Sequence, residues 1–310
     1  MKRIRARAAT ASLAFFLSAP FLLASAVEAS AMPLMQWSDL LSRPRPHASV
    51  RIAYGSDPSQ IADLWLPEDS GPHGEGPHPV VVFIHGGCWT ASVADLSIMD
   101  FAADDLRKRG VAVWNIEYRR LGQPGGGYPG TYQDVAAALD RLPAEAKAHG
   151  LAPGPYVVVG HSAGGHLALW SGARAKLPAS SPLRALHPLP IKAVVDIAGI
   201  ANLKTDIDTA CGADTVAAMA GSPSAARPDV YADTSPAALA PLGVPTWVIH
   251  GADDTTVSPP VGAAYAATAR AKGDKVEVLT PPGGHVEEIA PGTQAWTVIS
   301  DLIVRLAKQP

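Results

Sequence analysis

The segment Gly160-His161-Ser162-Ala163-Gly164 restricts the possible folds of this chain more than any other. It follows the β-branched run Tyr156-Val157-Val158-Val159 directly and opens a small-residue stretch that can continue as a helix through Trp170. The pattern predicts a strand, a sharp turn with a serine at its apex, and then a helix. Side chains at Gly160 and Gly164 would collide where the two backbones converge, so glycine is needed at both positions. The serine hydroxyl is thereby lifted clear of the sheet and presented as a nucleophile.

A serine hydroxyl is a weak nucleophile near neutral pH and requires a histidine base, itself oriented by a carboxylate. Of the ten histidines, only His285 lies beyond residue 250, in Pro281-Pro282-Gly283-Gly284-His285 just after the strand-like run Lys275 to Leu279. Pro245 to His250 reads as a buried strand that delivers Gly251-Ala252-Asp253-Asp254, and either aspartate can supply the acid. The chain order Ser, Asp, His is the one expected of α/β-hydrolases. A tetrahedral intermediate also needs N–H donors for its oxyanion. The run Pro79 to Ile84 ends in His85-Gly86-Gly87-Cys88-Trp89, where two glycines leave backbone amides free to face a cleft. The N–H groups of Gly87, Cys88 and Ala163 are the expected donors, with Trp89 and His161 expected to wall the substrate pocket.

Strand-like runs at Val50 to Tyr54, Ile61 to Leu66, Val80 to Ile84, Val111 to Glu117, Tyr156 to Val159, Ile191 to Ile197, Thr246 to His250 and Lys275 to Leu279 alternate, after a first hairpin, with helical segments. Such alternation predicts an α/β architecture, a mostly parallel eight-stranded sheet with helices on both faces. Ser162, Asp254, His285 and the Gly86-Gly87 loop each fall just past the C-terminal end of a strand, where open α/β sheets bind ligands. The stretch 201–244 contains no clear strand and is read as a small cap-like insertion, with a surface excursion as the alternative. The Gly-rich loop Gly122 to Gly130 either helps to wall the pocket or only connects elements.

Several of these motifs together resemble an α/β-hydrolase of the esterase branch that includes kynurenine formamidases and feruloyl-type esterases. His85 to Trp89 is similar to that branch's H-G-G-x-W, Asn115-Ile116-Glu117-Tyr118-Arg119 to its N-x-x-Y-R, and His250-Gly251-x-x-Asp254-x-x-Val257 to its H-G-x-x-D-x-x-V acid motif. The resemblance covers nearly the whole chain after residue 31, favours Asp254 over Asp253, and puts Cys88 at a variable position. It implies a serine hydrolase that cleaves carboxylic esters through an acyl-enzyme and takes a small-molecule ester or amide without a cofactor. Arylformamidase activity on N-formylkynurenine is the alternative, and a non-catalytic binding protein of the same fold is the alternative of another class.

Residues 1–31 carry Lys2, Arg3, Arg5 and Arg7, then the apolar stretch Leu13 to Leu23, then Ala29-Ser30-Ala31. A basic head, a short apolar segment and an A-x-A site predict a secretory signal peptide and a periplasmic or secreted protein. The apolar stretch, broken by Ser18 and Pro20, is too short for a comfortable membrane span. Its removal takes away four basic residues and Glu28, leaving 21 basic and 27 acidic, a net charge of −6 that offers no footprint for nucleic acid. Cys88 and Cys211 are the only cysteines. Export permits a disulfide between them, but bridging needs Cα atoms within about 7 Å, a distance that sequence cannot supply. No C-x-x-C occurs, and His161 and His166 lack further ligands at metal-binding spacing, so no metal site is expected. His166 is read as a packing residue, Glu117 and Arg119 as an ion pair or loop brace, and the helix from Trp296 through Leu306 as packing on the sheet or pairing subunits. Oligomeric state is not legible.

Overall fold

The computed structural model describes residues 33–68, 76–206 and 211–309. The proposed signal peptide lies outside the described residues, among which no helix is long and apolar enough to cross a membrane. Eight strands form one sheet: β1 Val50–Ala53, β2 Ile61–Trp65, β3 Val80–Ile84, β4 Ala112–Ile116, β5 Tyr156–His161, β6 Ile191–Ile197, β7 Thr246–Ile249 and β8 Val276–Leu279. Their spatial order is β1-β2-β4-β3-β5-β6-β7-β8, antiparallel at β1/β2 and β2/β4 and parallel from β4 onward. All eight runs expected from sequence are strands, with ends shifted by a residue or two where pairing stops.

The central strands are buried along nearly their whole length and mostly apolar because both faces of the sheet are covered. In β3, Val80, Val82 and Ile84 join one buried cluster while Val81 and Phe83 join the other, the period-two alternation of a pleated strand. The first cluster is completed by helices α3 Gly130–Ala148, α4 Ala163–Ala173 and α7 Pro259–Ala271. The second is completed by α2 Asp100–Lys108 and α8 Gln294–Lys308. Helix α8 buries Trp296, Ile299, Leu302, Ile303 and Leu306, an i, i+3, i+7 stripe on the sheet side, and Thr293 caps it by accepting the Trp296 N–H at 3.1 Å. A short helix, α1 Trp37–Leu41, precedes the first strand.

The insertion between β6 and β7 carries α5 Ala213–Ala220 and α6 Pro236–Leu239. It lies against α3 and α4: Tyr132 Oη donates to Met219 O at 3.0 Å and Trp170 Nε1 to Asp233 O at 2.9 Å. The Gly122–Gly130 loop packs on the same insertion, with Tyr128 N–H donating to Ala218 O at 3.4 Å and the Arg227 guanidinium 3.8 Å from the Tyr128 ring centre. Cys88 and Cys211 form a disulfide with Cα atoms 5.2 Å apart, joining the insertion to the loop after β3.

Glu117 and Arg119 do not pair with each other, contrary to one expectation from sequence. Glu117 turns inward, to His85 at 2.9 Å and Arg120 at 3.3 Å, whereas Arg119 lies past the sheet's end and grips Asp134 of α3 with two bonds of 2.7 Å. Each finds a partner that the fold brings closer, and both brace loops.

His166 is fully buried on α4, its Nε2–H donating to Thr234 O at 2.8 Å and its ring edge-on to Trp89 and Tyr132. Burial pushes its pKa down to about 4 from the ordinary 6.5. Below pH 6.5 the unfolded chain takes up this proton before the folded one does, so stability declines as pH falls from 6.5 through 4, by about 3 kcal/mol for this group alone. Denaturant unfolding across that window is expected to show the decline, and a His166→Gln variant to flatten it.

The disulfide closes a separation of 123 residues. Its removal in a Cys88→Ser/Cys211→Ser variant is expected to cost between about 2 and 5 kcal/mol. Calorimetry should show a lower Tm for the variant, and added reductant should lower the Tm of the wild type but not that of the variant.

Candidate active site

The turn between β5 and α4 is as tight as its glycines imply. A Cβ on Gly160 would stand 2.0 Å from Gly164 O, and one on Gly164 would stand 2.0 Å from Ile84 O of the neighbouring strand. Between them Ser162 adopts φ 56°, ψ −123°, a left-handed conformation that costs a non-glycine residue on the order of 1–3 kcal/mol. The Ser162 N–H donates to Ile197 O at 2.7 Å, which ties the turn to the end of β6.

The loop after β3 runs through three successive positive φ values, Gly87 at 101°, Cys88 at 52° and Trp89 at 52°. Among the described residues, the N–H groups of Gly87, Cys88 and Ala163 donate to no protein acceptor. The loop is held from beneath by a buried polar cluster. His85 meets Glu117 Oε1 at 2.9 Å and Gly86 O at 2.7 Å, stacks on Tyr118 at 4.4 Å, and accepts the Tyr118 hydroxyl on its carbonyl at 2.8 Å. Glu117 also accepts the N–H of Leu96 at 3.0 Å. Burial pushes the Glu117 carboxyl up, but His85 and Arg120 hold it below the ordinary range, so it remains an anion.

His285 Nδ1–H donates to Asp254 Oδ2 at 2.7 Å. Asp254 Oδ1 accepts the N–H groups of Thr256 at 2.7 Å and Val257 at 3.0 Å, which fixes the carboxylate plane. Burial raises its pKa, but the bond and charge of His285 and the two amides outweigh this and hold it below the ordinary aspartate range. Asp253 points elsewhere and accepts the Gly283 N–H at 3.3 Å, a link between the acid loop and the histidine loop.

Ser162 and His285 face one cavity of about 310 Å³. Leu41 of α1 and Val93, Ala94 and Ile98 of the loop after β3 give the cavity apolar walls. Trp37 closes it on the histidine side, its ring edge-on to His161 at 6.1 Å and to His285 at 6.4 Å. Among the described residues, no lining side chain is an acid, a lysine or an arginine.

Of the two expected pocket residues, His161 lines the cavity and Trp89 does not. The positive φ at Trp89 swings its ring under the loop into the core, where it is fully buried and donates from Nε1 to Ala163 O at 2.9 Å. It acts as a strut between the loop after β3 and the first turn of α4. His161 donates Nε2–H to His285 O at 3.0 Å, and burial together with the nearby His285 holds it neutral, its pKa well below the usual imidazole value. No described residue of 201–244 lines the cavity; the insertion reaches it through the disulfide at Cys88. The Gly122–Gly130 loop contributes no lining residue either.

Two parts of the site were not read from sequence. Helix α1 lies between the signal-like segment and the first strand, where only Gln36 and Asp39, which form a capping box, and the apolar Trp37, Leu40 and Leu41 mark it. Glu287 and Glu288 follow the histidine closely, and both are buried. Glu287 accepts the N–H groups of Met35 at 2.5 Å and Gly284 at 3.1 Å, fastening α1's approach to the histidine loop. His161, His285 and Glu288 bring one potential metal-ligating atom each within 4.8 Å of one another. His285 Nδ1 is already bonded to Asp254 and His161 Nε2 to a carbonyl, so these atoms are committed within the protein.

The BD-FAE family model matches residues 63–266, about two thirds of the chain, from within β2 to within α7. Esterase LipC of Mycobacterium tuberculosis (strain ATCC 25618 / H37Rv) is 28% identical over 252 residues, covering 79% of this chain and 61% of LipC. The chain therefore spans about three fifths of that relative's length. Kynurenine formamidase-like hydrolase fscH of Fusarium equiseti is 25% identical over 265 residues, covering 74% of this chain and 84% of fscH. Among solved structures, a truncated carbohydrate esterase from gut microbiota superposes with a TM-score of 0.67 at 21% identity, covering 84% of this chain and 98% of that one. A bacterial heroin esterase does so with a TM-score of 0.62 at 24% identity, covering 84% of each chain. The matched stretch, about two thirds of the chain, holds the strained serine turn, the loop after β3 and Asp254, and on this match the chain belongs to the BD-FAE family of α/β-hydrolases.

Proposed function

We propose that this protein is an exported serine carboxylesterase that cleaves esters of small or aryl groups through Ser162, His285 and Asp254. The observation that carries the reading is one cavity faced both by a serine on a strained turn and by a histidine bonded at 2.7 Å to a buried aspartate. In the reaction, Ser162 Oγ attacks the ester carbonyl while His285 Nε2 takes its proton, and Asp254 holds the imidazole in the Nδ1–H tautomer and balances the imidazolium. The oxyanion accepts N–H bonds from Gly87, Cys88 and Ala163, aided by the positive end of α4. His285 returns the proton to the departing alcohol, and water, activated by the same histidine, resolves the acyl-enzyme.

The apolar lining supports a neutral acyl or aryl ester. N-formylkynurenine, the substrate class suggested by the likeness to fscH, carries an amino-acid head group, and among the described residues no lining side chain is a lysine, arginine or acid that would pair with it. Export is supported by the basic, apolar and A-x-A pattern of residues 1–31 and by the Cys88–Cys211 disulfide, a bond that persists in oxidising compartments.

Hydrolysis of p-nitrophenyl acetate, butyrate and octanoate beside N-formylkynurenine tests the proposal. The wild type is expected to turn over the short esters, and Ser162→Ala to lose at least about 10⁴-fold in kcat. Preference for N-formylkynurenine would favour the formamidase reading, and turnover of nothing would favour a binding protein. Because Trp37 closes the cavity, Trp37→Ala is expected to raise kcat/KM for octanoate relative to acetate, read from the ratio of the two within each variant.

A further inference from the structure

Glu288 takes part in no step above, yet it is a fully buried carboxyl at the centre of the site. The short 3-10 turn Glu287–Ile289 carries it three residues beyond His285. Its Oε1 accepts the N–H of Gly251, the residue that opens the loop bearing Asp254. Its Oε2 has no hydrogen-bond partner and stands 3.8 Å from His285 Nδ1 and 3.8 Å from His161 Nε2. A buried polar atom left in this state is uncommon and calls for a reason. The acid and histidine loops also touch directly, since a Cβ on Gly251 would lie 2.3 Å from Gly283 O.

We propose that Glu288 is the positioning residue that fixes His285 against Asp254, joining the acid loop to the histidine loop at Gly251 and presenting its second oxygen to the two histidine rings. The inference rests on reading His285 as the base. Burial, followed by the charge of Asp254 and reinforced by Asp196 at the end of β6 and Glu287 on the same turn, pushes the Glu288 carboxyl well above its ordinary range, so it is held as the neutral acid. The other groups around it are the rings of His161 and His285, with His250 at the end of β7 facing Asp254 and His285. Neutrality matters to the base. A second carboxylate beside His285 would stabilise the imidazolium, raise the pH at which the base becomes available, and lower the rate near neutrality. A neutral acid supplies shape and a hydrogen-bonding group without that penalty.

The test compares Glu288→Gln, which keeps a neutral polar group of the same reach, with Glu288→Leu, which keeps volume and removes both oxygens. With p-nitrophenyl butyrate, Gln is expected to hold kcat within a few-fold and leave the acidic limb of kcat/KM where it is in the wild type. Leu is expected to lower kcat by about 10²-fold with little change in KM, the scale of a misplaced catalytic group. Proton NMR of the far-downfield His285 Nδ1–H should show the resonance kept in Gln and lost or shifted in Leu. A wild-type kcat in Leu overturns the proposal. So does an acidic limb that moves to lower pH in Gln, which would mean that the wild type carries a charge there, and so does a loss in Gln as deep as in Leu. If Leu does not fold, Gln and the resonance still decide. If wild-type turnover survives Ser162→Ala, the esterase reading fails by itself, while the resonance, which needs no turnover, continues to report on Glu288.

Discussion

The site depends on a backbone contact in which three elements meet with no room for side chains. Gly164 of α4 lies so close to Ile84 O at the end of β3 that even a methyl group would overlap it, and Gly160 of β5 stands in the same relation to Gly164. This convergence brings the start of α4 beside the loop that leaves β3, where a Cβ on Gly86 would stand 2.9 Å from the Cβ of Ser162. Ser162 is forced into its left-handed conformation by the same geometry. The strain is local and is held by the surrounding sheet, which over-determines it through the bond from Ser162 N–H to Ile197 O.

Around that contact the protein places polar groups in water-free surroundings and satisfies most of them. Glu117, His85, Tyr118 and Arg120 hold the loop after β3, while Asp254, Glu287 and Glu288 hold the histidine loop and its neighbours. In each group a buried carboxylate or acid accepts backbone N–H groups from a loop remote in sequence. The loops after β3 and β8 are thus tied to other parts of the fold through buried carboxyl groups.

Much of the architecture was legible because the central strands are β-branched runs bounded by turn residues, and burial on both faces makes such runs continuous. Ser162, His285 and the two aspartates were legible from their place after strands. What escaped reading depended on direction or distance. Trp89 sits where sequence suggests a pocket wall, but a positive φ turns it inward, and nothing in the residue itself announces that angle. Glu117 and Arg119 are close in sequence yet find partners on other elements. Glu288 resembles any surface glutamate until the fold closes over it, and the Cys88–Cys211 pairing required a separation that only the folded chain defines.

The bond from Met35 N–H to Glu287 spans 252 residues of chain. Helix α1, and with it the Trp37 wall of the cavity, is therefore anchored to a segment far along the chain. Closing so long a loop is among the slower events of folding, because its entropy must be spent before the contact rewards it. The sheet and the serine turn can form from the stretch between the two joined segments, but the pocket acquires its Trp37 wall only when these distant segments meet. The shape of the cavity on that side is thus set by a contact between segments that the sequence keeps far apart.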